Sequence, residues 1–145
     1  MKVLLAIMSL YVHDDLISVK TPNHRAKRVC VVGLADKAIL LSCLGALSSG
    51  LCGLMSPPLQ YSVYKHLKNK LKNHDGIVAI PYSSIQKVKA MVKYGIEVLI
   101  IETRDGAYEF TAVGRYAKFG IHKLLMELKS RLTINNPTVK FEENL

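Results

Sequence analysis

GIVAIPYSSIQKVKAMVKYGIEVLIIETRDGAYEFTAV, residues Gly76–Val113, is the stretch whose reading decides the fold class. It opens on a short strand in which Pro81 makes an edge or a bend, because proline cannot donate to a sheet ladder. From Ile85 the residues alternate as a strand does. Ile85, Lys87, Lys89 and Met91 fall on one side, and Gln86, Val88, Ala90 and Val92 on the other. Lys93-Tyr94-Gly95 reads as a turn, and IEVLIIET after it as a mostly apolar strand. Arg104-Asp105-Gly106 is a hairpin turn, since Asp-Gly suits positive φ. AYEFTAV then alternates with Tyr108 and Phe110 on one face. Glu97, Glu102 and Glu109 are expected to pair with nearby lysines across this sheet.

Downstream, Ile121, Leu124, Leu125, Leu128 and Leu132 make one stripe at helical spacing, with Lys129 and Arg131 near the end that the helix dipole favours. Asn135-Asn136-Pro137 breaks this helix, and residues 133–145 read as a loose polar tail. Upstream, Tyr61–Asn73 reads as a basic amphipathic helix. Val63, Tyr64, Leu67 and Leu71 share one face; Lys65, Lys68 and Lys72 share another, with Lys70 beside them. His74-Asp75-Gly76 stops it. Arg28–Ser42, RVCVVGLADKAILLS, reads as two short strands joined through Gly33 and Asp36. Ahead of them, after the turn at Pro22, lies the compact cluster HRAKR, His24–Arg28. The start, MKVLLAIMSLYV, has one lysine and then an apolar run, but no small-x-small cleavage site, and it reads as a buried first strand.

The middle of the chain is different. No charged residue occurs between Ala38 and Tyr64. Within ILLSCLGALSSGLCGLM, Gly45, Ser49 and Gly53 recur every fourth residue, and Ala46 and Gly50 do so one position over. On a helix these would form a smooth face that another backbone could approach closely. A helical insertion over about 39–73 is therefore expected, interrupted or kinked at Pro57 and Pro58. Its apolar part is borderline against the ~20 residues that cross a bilayer. A buried or oligomerising helical hairpin and a shallow membrane-inserting element are the other readings.

With 20 Lys+Arg against 11 Asp+Glu, the formal charge of +9 favours an anionic partner: a membrane face, nucleic acid or an acidic protein. Aromatics make up only 7%, which supplies base stacking thinly and places nucleic acid second. Cys30, Cys43 and Cys52 are odd in number and lack C-x-x-C spacing, so they read as buried thiols of a reducing, cytoplasmic setting, with neither a disulfide framework nor a zinc site. His13 with Asp14 and Asp15 reads as a polar turn in preference to a weak metal site, which would need three or four ligands. No phosphate-cradling loop, dinucleotide fingerprint, HExxH or nucleophile elbow is present. No catalytic residue, metal or cofactor is assigned.

IPYSSIQKVK, then IEVLIIETRDGAYEF, then HKLLMELKSRL resemble the second half of small prokaryotic pleckstrin-homology-like and GRAM-like domains. In these an "ipyssI" strand leads into two strands joined by a "dG" hairpin, and a C-terminal helix closes the barrel. Arg28–Ser42 looks like their earlier hairpin, and some members carry a small-residue insertion similar to Ile39–Leu59. The resemblance covers about two-thirds of the chain. It implies an α+β fold over residues 1–132: a partly open, bent antiparallel sheet capped by a helix and used to bind lipid or protein. The expected function is a non-catalytic binding module, associated with a membrane or an assembly, at the inner face of a membrane. The anion-binding candidates are His24, Arg25, Lys27, Arg28, Lys65, Lys68, Lys72, Lys87 and Lys89. Gly45, Ala46, Ser49, Gly50 and Gly53 are the candidates for helix packing, self-association or membrane contact. A basic nucleic-acid- or ribosome-associated protein is the alternative.

Overall fold

The apolar runs Val29–Leu34 and Ile39–Leu41 need cover on both faces, and they have it within the strands Arg28–Leu34 (β3) and Ala38–Ser48 (β4). In the computed structural model, which describes residues 10–23, 26–48, 54–113 and 121–144, β3 alternates between two cores. Cys30, Val32 and Leu34 point into the main one; Val29 and Val31 belong to a second, smaller one. Two further strands precede this pair, Tyr11–Val12 (β1) and Ile17–Lys20 (β2), both antiparallel to β3. After β4 come the helix Pro57–Lys72 (α1), the strand Val78–Pro81 (β5) and a 3₁₀ turn over Tyr82–Ser84. The strands Ile85–Lys93 (β6), Ile96–Thr103 (β7) and Gly106–Ala112 (β8) follow, then the helix His122–Asn135 (α2) and the strand Lys140–Asn144 (β9).

The strands form one sheet in the order β5-β4-β3-β2-β8-β7-β6-β9, with β1 beside β3. Every pairing is antiparallel except β6 with β9. This order forces the sheet to curl. On a flat sheet six strand spacings would part β5 from β6 by about 29 Å. The link between them, from Pro81 to Ile85, reaches at most about 15 Å. The two ends of the sheet must therefore approach each other, giving an open half-barrel with α2 inside. The inward stripe of α2, Leu124, Leu125, Leu128 and Leu132, packs in one cluster with residues from β2 through β8. The curled, open sheet of an α+β fold is what the pleckstrin-homology-like resemblance implies.

Side-chain hydrogen bonds fasten the corner where the sheet closes. The buried Tyr82 hydroxyl donates to the Ala35 carbonyl at 2.7 Å, and Arg131 Nη1 donates to the same oxygen at 3.2 Å. Asn136 Nδ2 donates to the carbonyls of Tyr82 and Ile85 at 2.9 and 3.1 Å. Burial pushes the Tyr82 phenol up to about 12, outweighing the opposing pull of Arg131, so the hydroxyl remains a donor.

Helix α1 covers the other side of the sheet. Its buried residues Leu67 and Leu71, with half-buried Val63 and Tyr64, face β3 and β4. The fit is close at Gly33, where an added Cβ would stand 2.9 Å from Leu71 Cδ2. Tyr64 Oη also donates to the His13 carbonyl at 3.0 Å, tying the helix to the turn after β1.

Several expectations change. Residues 39–48 are not helical: they belong to an eleven-residue strand whose first half pairs with β5 and whose other edge pairs with β3. Small residues at every fourth position fit a helix, but with Ile39 and Leu41 in the inner core and Leu40 and Ser42 buried on the opposite face, no period-two signal survives. The expected helical insertion therefore shrinks to α1. That helix begins at Pro57 instead of being broken there, because a proline in the first turn lacks only an N–H that has no partner in any helix.

Ile85 joins the buried side of β6 with Val88 and Ala90, because a β-bulge between Ile85 and Lys87 shifts the alternation. The β7–β8 hairpin turns at Arg104-Asp105. Gly106 is required just after the turn, with φ 130° and the Pro22 Cβ 2.6 Å from where its own would stand. The tail is not loose: α2 runs to Asn135, and Lys140–Asn144 adds to β6.

A disulfide joins Cys30 to Cys43, which corrects the reading of these two as free thiols. The hairpin register sets them directly opposite each other with Cα atoms 4.0 Å apart, a relation that depends on strand pairing and not on local spacing. Closing a loop of this size stabilises a fold by about 3 kcal/mol. Cys52 and the apolar start, residues 1–9, lie outside the described residues.

Candidate binding surface

Three basic clusters are expected from the sequence, and the structure treats them differently. Of the first, His24 and Arg25 lie outside the described residues, and Lys27 is exposed. Arg28 is half-buried at the start of β3 and donates through Nε to the Leu44 carbonyl at 3.3 Å. Part of its donor capacity is thus used in holding β4.

The sheet lysines are already paired. Lys87 Nζ is 2.6 Å from the Glu142 carboxylate of β9, and Lys89 Nζ is 3.1 Å from Glu102 of β7. The hydrogen bond between Lys87 and Glu142 raises the ammonium and lowers the carboxyl from their ordinary values, as a true ion pair requires. Lys123 and Lys129 are likewise bound to Asp14 and Glu143, each at 3.1 Å. Lys87 and Lys89 are therefore not free anion sites. Their charge is spent inside the molecule, on partners that include a tail expected to be loose.

Helix α1 is the exception. Its sixteen residues contain Lys65, Lys68, Lys70 and Lys72 and no carboxylate. Among the described residues no ion pair joins any of the four to an acid. Tyr61, Lys65, Lys68 and Lys72 follow one another at spacings of four, three and four, which sets them in a single row along the helix. The row lies beside the buried face: Lys65 and Lys72 are exposed, and Lys68 is half-buried with its ammonium 5.8 Å from the Tyr64 ring centroid. Two lysines in the last turn also complement the helix dipole.

At the other end of α1 the surface is apolar. Leu54 is 85% exposed, Leu59 56% and Tyr61 62%, so three large apolar side chains ring the start of the helix just ahead of the lysines. The sequence reading missed this patch. Its signal was the pair Pro57-Pro58, a helix start beside the apolar run. A second apolar projection is the β6–β7 hairpin, where Val92, Tyr94 and Ile96 are exposed around a two-residue turn with positive φ at Tyr94 and Gly95.

Of the small-residue candidates, Gly45 and Ala46 lie in strand β4 and not in a helix. Gly45 is exposed within β4, and a Cβ added there would meet nothing within 4 Å. The side chain of Ala46, and all of Ser49, Gly50 and Gly53, lie outside the described residues.

His13 is fully buried, with Nδ1 3.0 Å from the Tyr11 hydroxyl and Nε2 3.9 Å from Asp15. Burial, reinforced by Asp14, pushes the Tyr11 and Tyr64 phenols up to about 12. This is a packed polar turn that carries α1 through the Tyr64 bond. Among the described residues no group of three or more histidines, cysteines or carboxylates could hold a metal ion.

No family model matches the sequence, and no curated protein matches it. Solved structures do. The hSac2 domain from the human phosphoinositide phosphatase Sac2 superposes with a TM-score of 0.49 at 9% identity, over 99% of this chain and 87% of that one. A chain of the Spt16D–Pob3N heterodimer superposes with a TM-score of 0.45 at 10% identity, over 92% of this chain. The present chain spans about half of that one, 53% of its length.

Proposed function

We propose that this chain is a non-catalytic interaction module that docks on an anionic membrane face through the outer side of α1. The observation that carries the reading is the charge of that helix: four lysines and no acid, beside exposed Leu54, Leu59 and Tyr61. A lysine near an anionic bilayer contributes about 1 kcal/mol. Apolar side chains entering the headgroup boundary add an attraction that salt does not screen. Buried Leu67 and Leu71 and the Tyr64 hydrogen bond seat α1 on the half-barrel.

Among the described residues no helix is long and apolar enough to cross a membrane, so α1 would lie along the surface. The cytoplasmic placement expected from the sequence leaned on unpaired thiols. With Cys30 and Cys43 bonded, that support is withdrawn, and the proposal concerns anionic lipid on whichever side of the membrane it is met.

Flotation with vesicles tests the reading. The protein is expected to float with phosphatidylserine-containing vesicles and not with phosphatidylcholine alone, and to keep part of its binding in high salt. Equal flotation with both lipids, or with neither, would overturn it. In the second case an accompanying gel shift with RNA would favour the nucleic-acid reading.

A further inference from the structure

The groove between β6 and α2 holds an unusual occupant, the chain's own last strand. β9 is short, lies at the sheet edge and is the one parallel pairing in the sheet. Four of its five residues are exposed, and of the segment Val139–Asn144 only Val139, which is buried, and half-buried Phe141 join the main core. It is held in three ways. Its backbone pairs with β6 from Lys87↔Lys140 to Met91↔Asn144. Phe141 packs against the main core, with the Lys129 ammonium 5.6 Å from its ring centroid. Two carboxylates meet lysines of the groove, Glu142 with Lys87 and Glu143 with Lys129.

Without β9 the same place would show a bare strand edge, an apolar slot and unpaired Lys87 and Lys129. A bare edge is a template for an incoming strand. The flanking lysines select for acid, and the slot selects for an aromatic ring. The exposed ion pairs that fasten the present occupant are weak in water. Its short tether from α2, residues 136–138, supplies an effective concentration of about millimolar.

We propose that this groove is a docking site for an extended acidic segment of a partner protein, an aromatic residue followed by two carboxylates, and that Val139–Asn144 occupies it as a tethered competitor. The tail lowers a partner's apparent affinity by the fraction of time it is docked. A partner bearing the same pattern on a longer contact would displace it and free the tail.

The test uses full-length protein and a fluorescent peptide of sequence TVKFEEN, the segment 138–144. In one variant, Phe141→Ala/Glu142→Lys/Glu143→Lys, the tail is repelled from the groove; in a milder one, Glu142→Gln/Glu143→Gln, it is only loosened. The peptide is expected to bind the first variant at least ~10-fold more tightly than it binds wild type, with the second between them and with binding weakened by salt. A peptide with Phe and both Glu replaced by Ser should not bind. Equal peptide binding by wild type and both variants would overturn the proposal. So would loss of cooperative melting in both variants, which would make β9 part of the core and not an exchangeable occupant.

Discussion

Phe110→Ala is expected to destabilise the protein by about 3–5 kcal/mol, the range for removing a buried aromatic ring from a core that only partly collapses. The site is unforgiving because of where it lies. β8 joins the two halves of the sheet, and Phe110 is paired with Val19 on one side and Leu99 on the other. It is fully buried and faces α2 within the main core. Against a typical total of about 5–15 kcal/mol, this is a large share of the stability. At this chain length the melting midpoint should fall by about 10–15 °C. Urea unfolding followed by circular dichroism measures it. Ile134→Ala is the control: Ile134 is 81% exposed on α2, so truncating it should change stability by less than about 0.5 kcal/mol. If the two variants unfold alike, the arrangement of α2 inside the half-barrel is wrong.

The second large effect concerns binding. Reversing the row on α1, Lys65→Glu/Lys68→Glu/Lys72→Glu, should weaken association with anionic vesicles by at least ~100-fold. Three lysines at about 1 kcal/mol each already account for that factor, before the repulsion of the new carboxylates. Neutralising the sheet lysines, Lys87→Gln/Lys89→Gln, should leave vesicle affinity within about threefold, because both ammonium groups are engaged with Glu142 and Glu102. The α1 variant changes the net charge by −6 and the sheet variant by −2, so the two are compared per unit of charge changed. Cosedimentation titrations of both variants against wild type provide the comparison. An equal loss of binding free energy per unit of charge in the two variants would mean that net charge alone, and no particular face, drives association.

What could be read from the letters follows from how local each signal is. The β6–β8 meander was legible because its turns carry turn chemistry at Tyr94-Gly95 and Asp105-Gly106. The stripe of α2 was legible because one face is buried and the opposite face is not. β4 differs for the converse reason: covered on both sides over Ile39–Ser42, it offers no period there, and Gly45 and Ala46 fall into a fourth-residue spacing that mimics a helix-packing face. β9 has little strand character of its own. KFEEN is a strand because β6 offers it an edge and Lys87 and Lys129 meet its acids, all from distant parts of the chain. The Cys30–Cys43 bond is likewise a product of register. The candidate site divides in the same way. The lysines of α1 could be found by helical spacing, whereas the neutralisation of Lys87 and Lys89 depends on cross-strand partners that spacing does not reveal.

The most direct test of the account is amide hydrogen exchange of the full-length protein with and without phosphatidylserine vesicles. Docking through the outer side of α1 predicts slowed exchange over residues 54–72, with little change in β6 and β7. Slowing across Ile85–Thr103 with none in 54–72 would place the membrane contact on the sheet and contradict the proposal that α1 is the docking face.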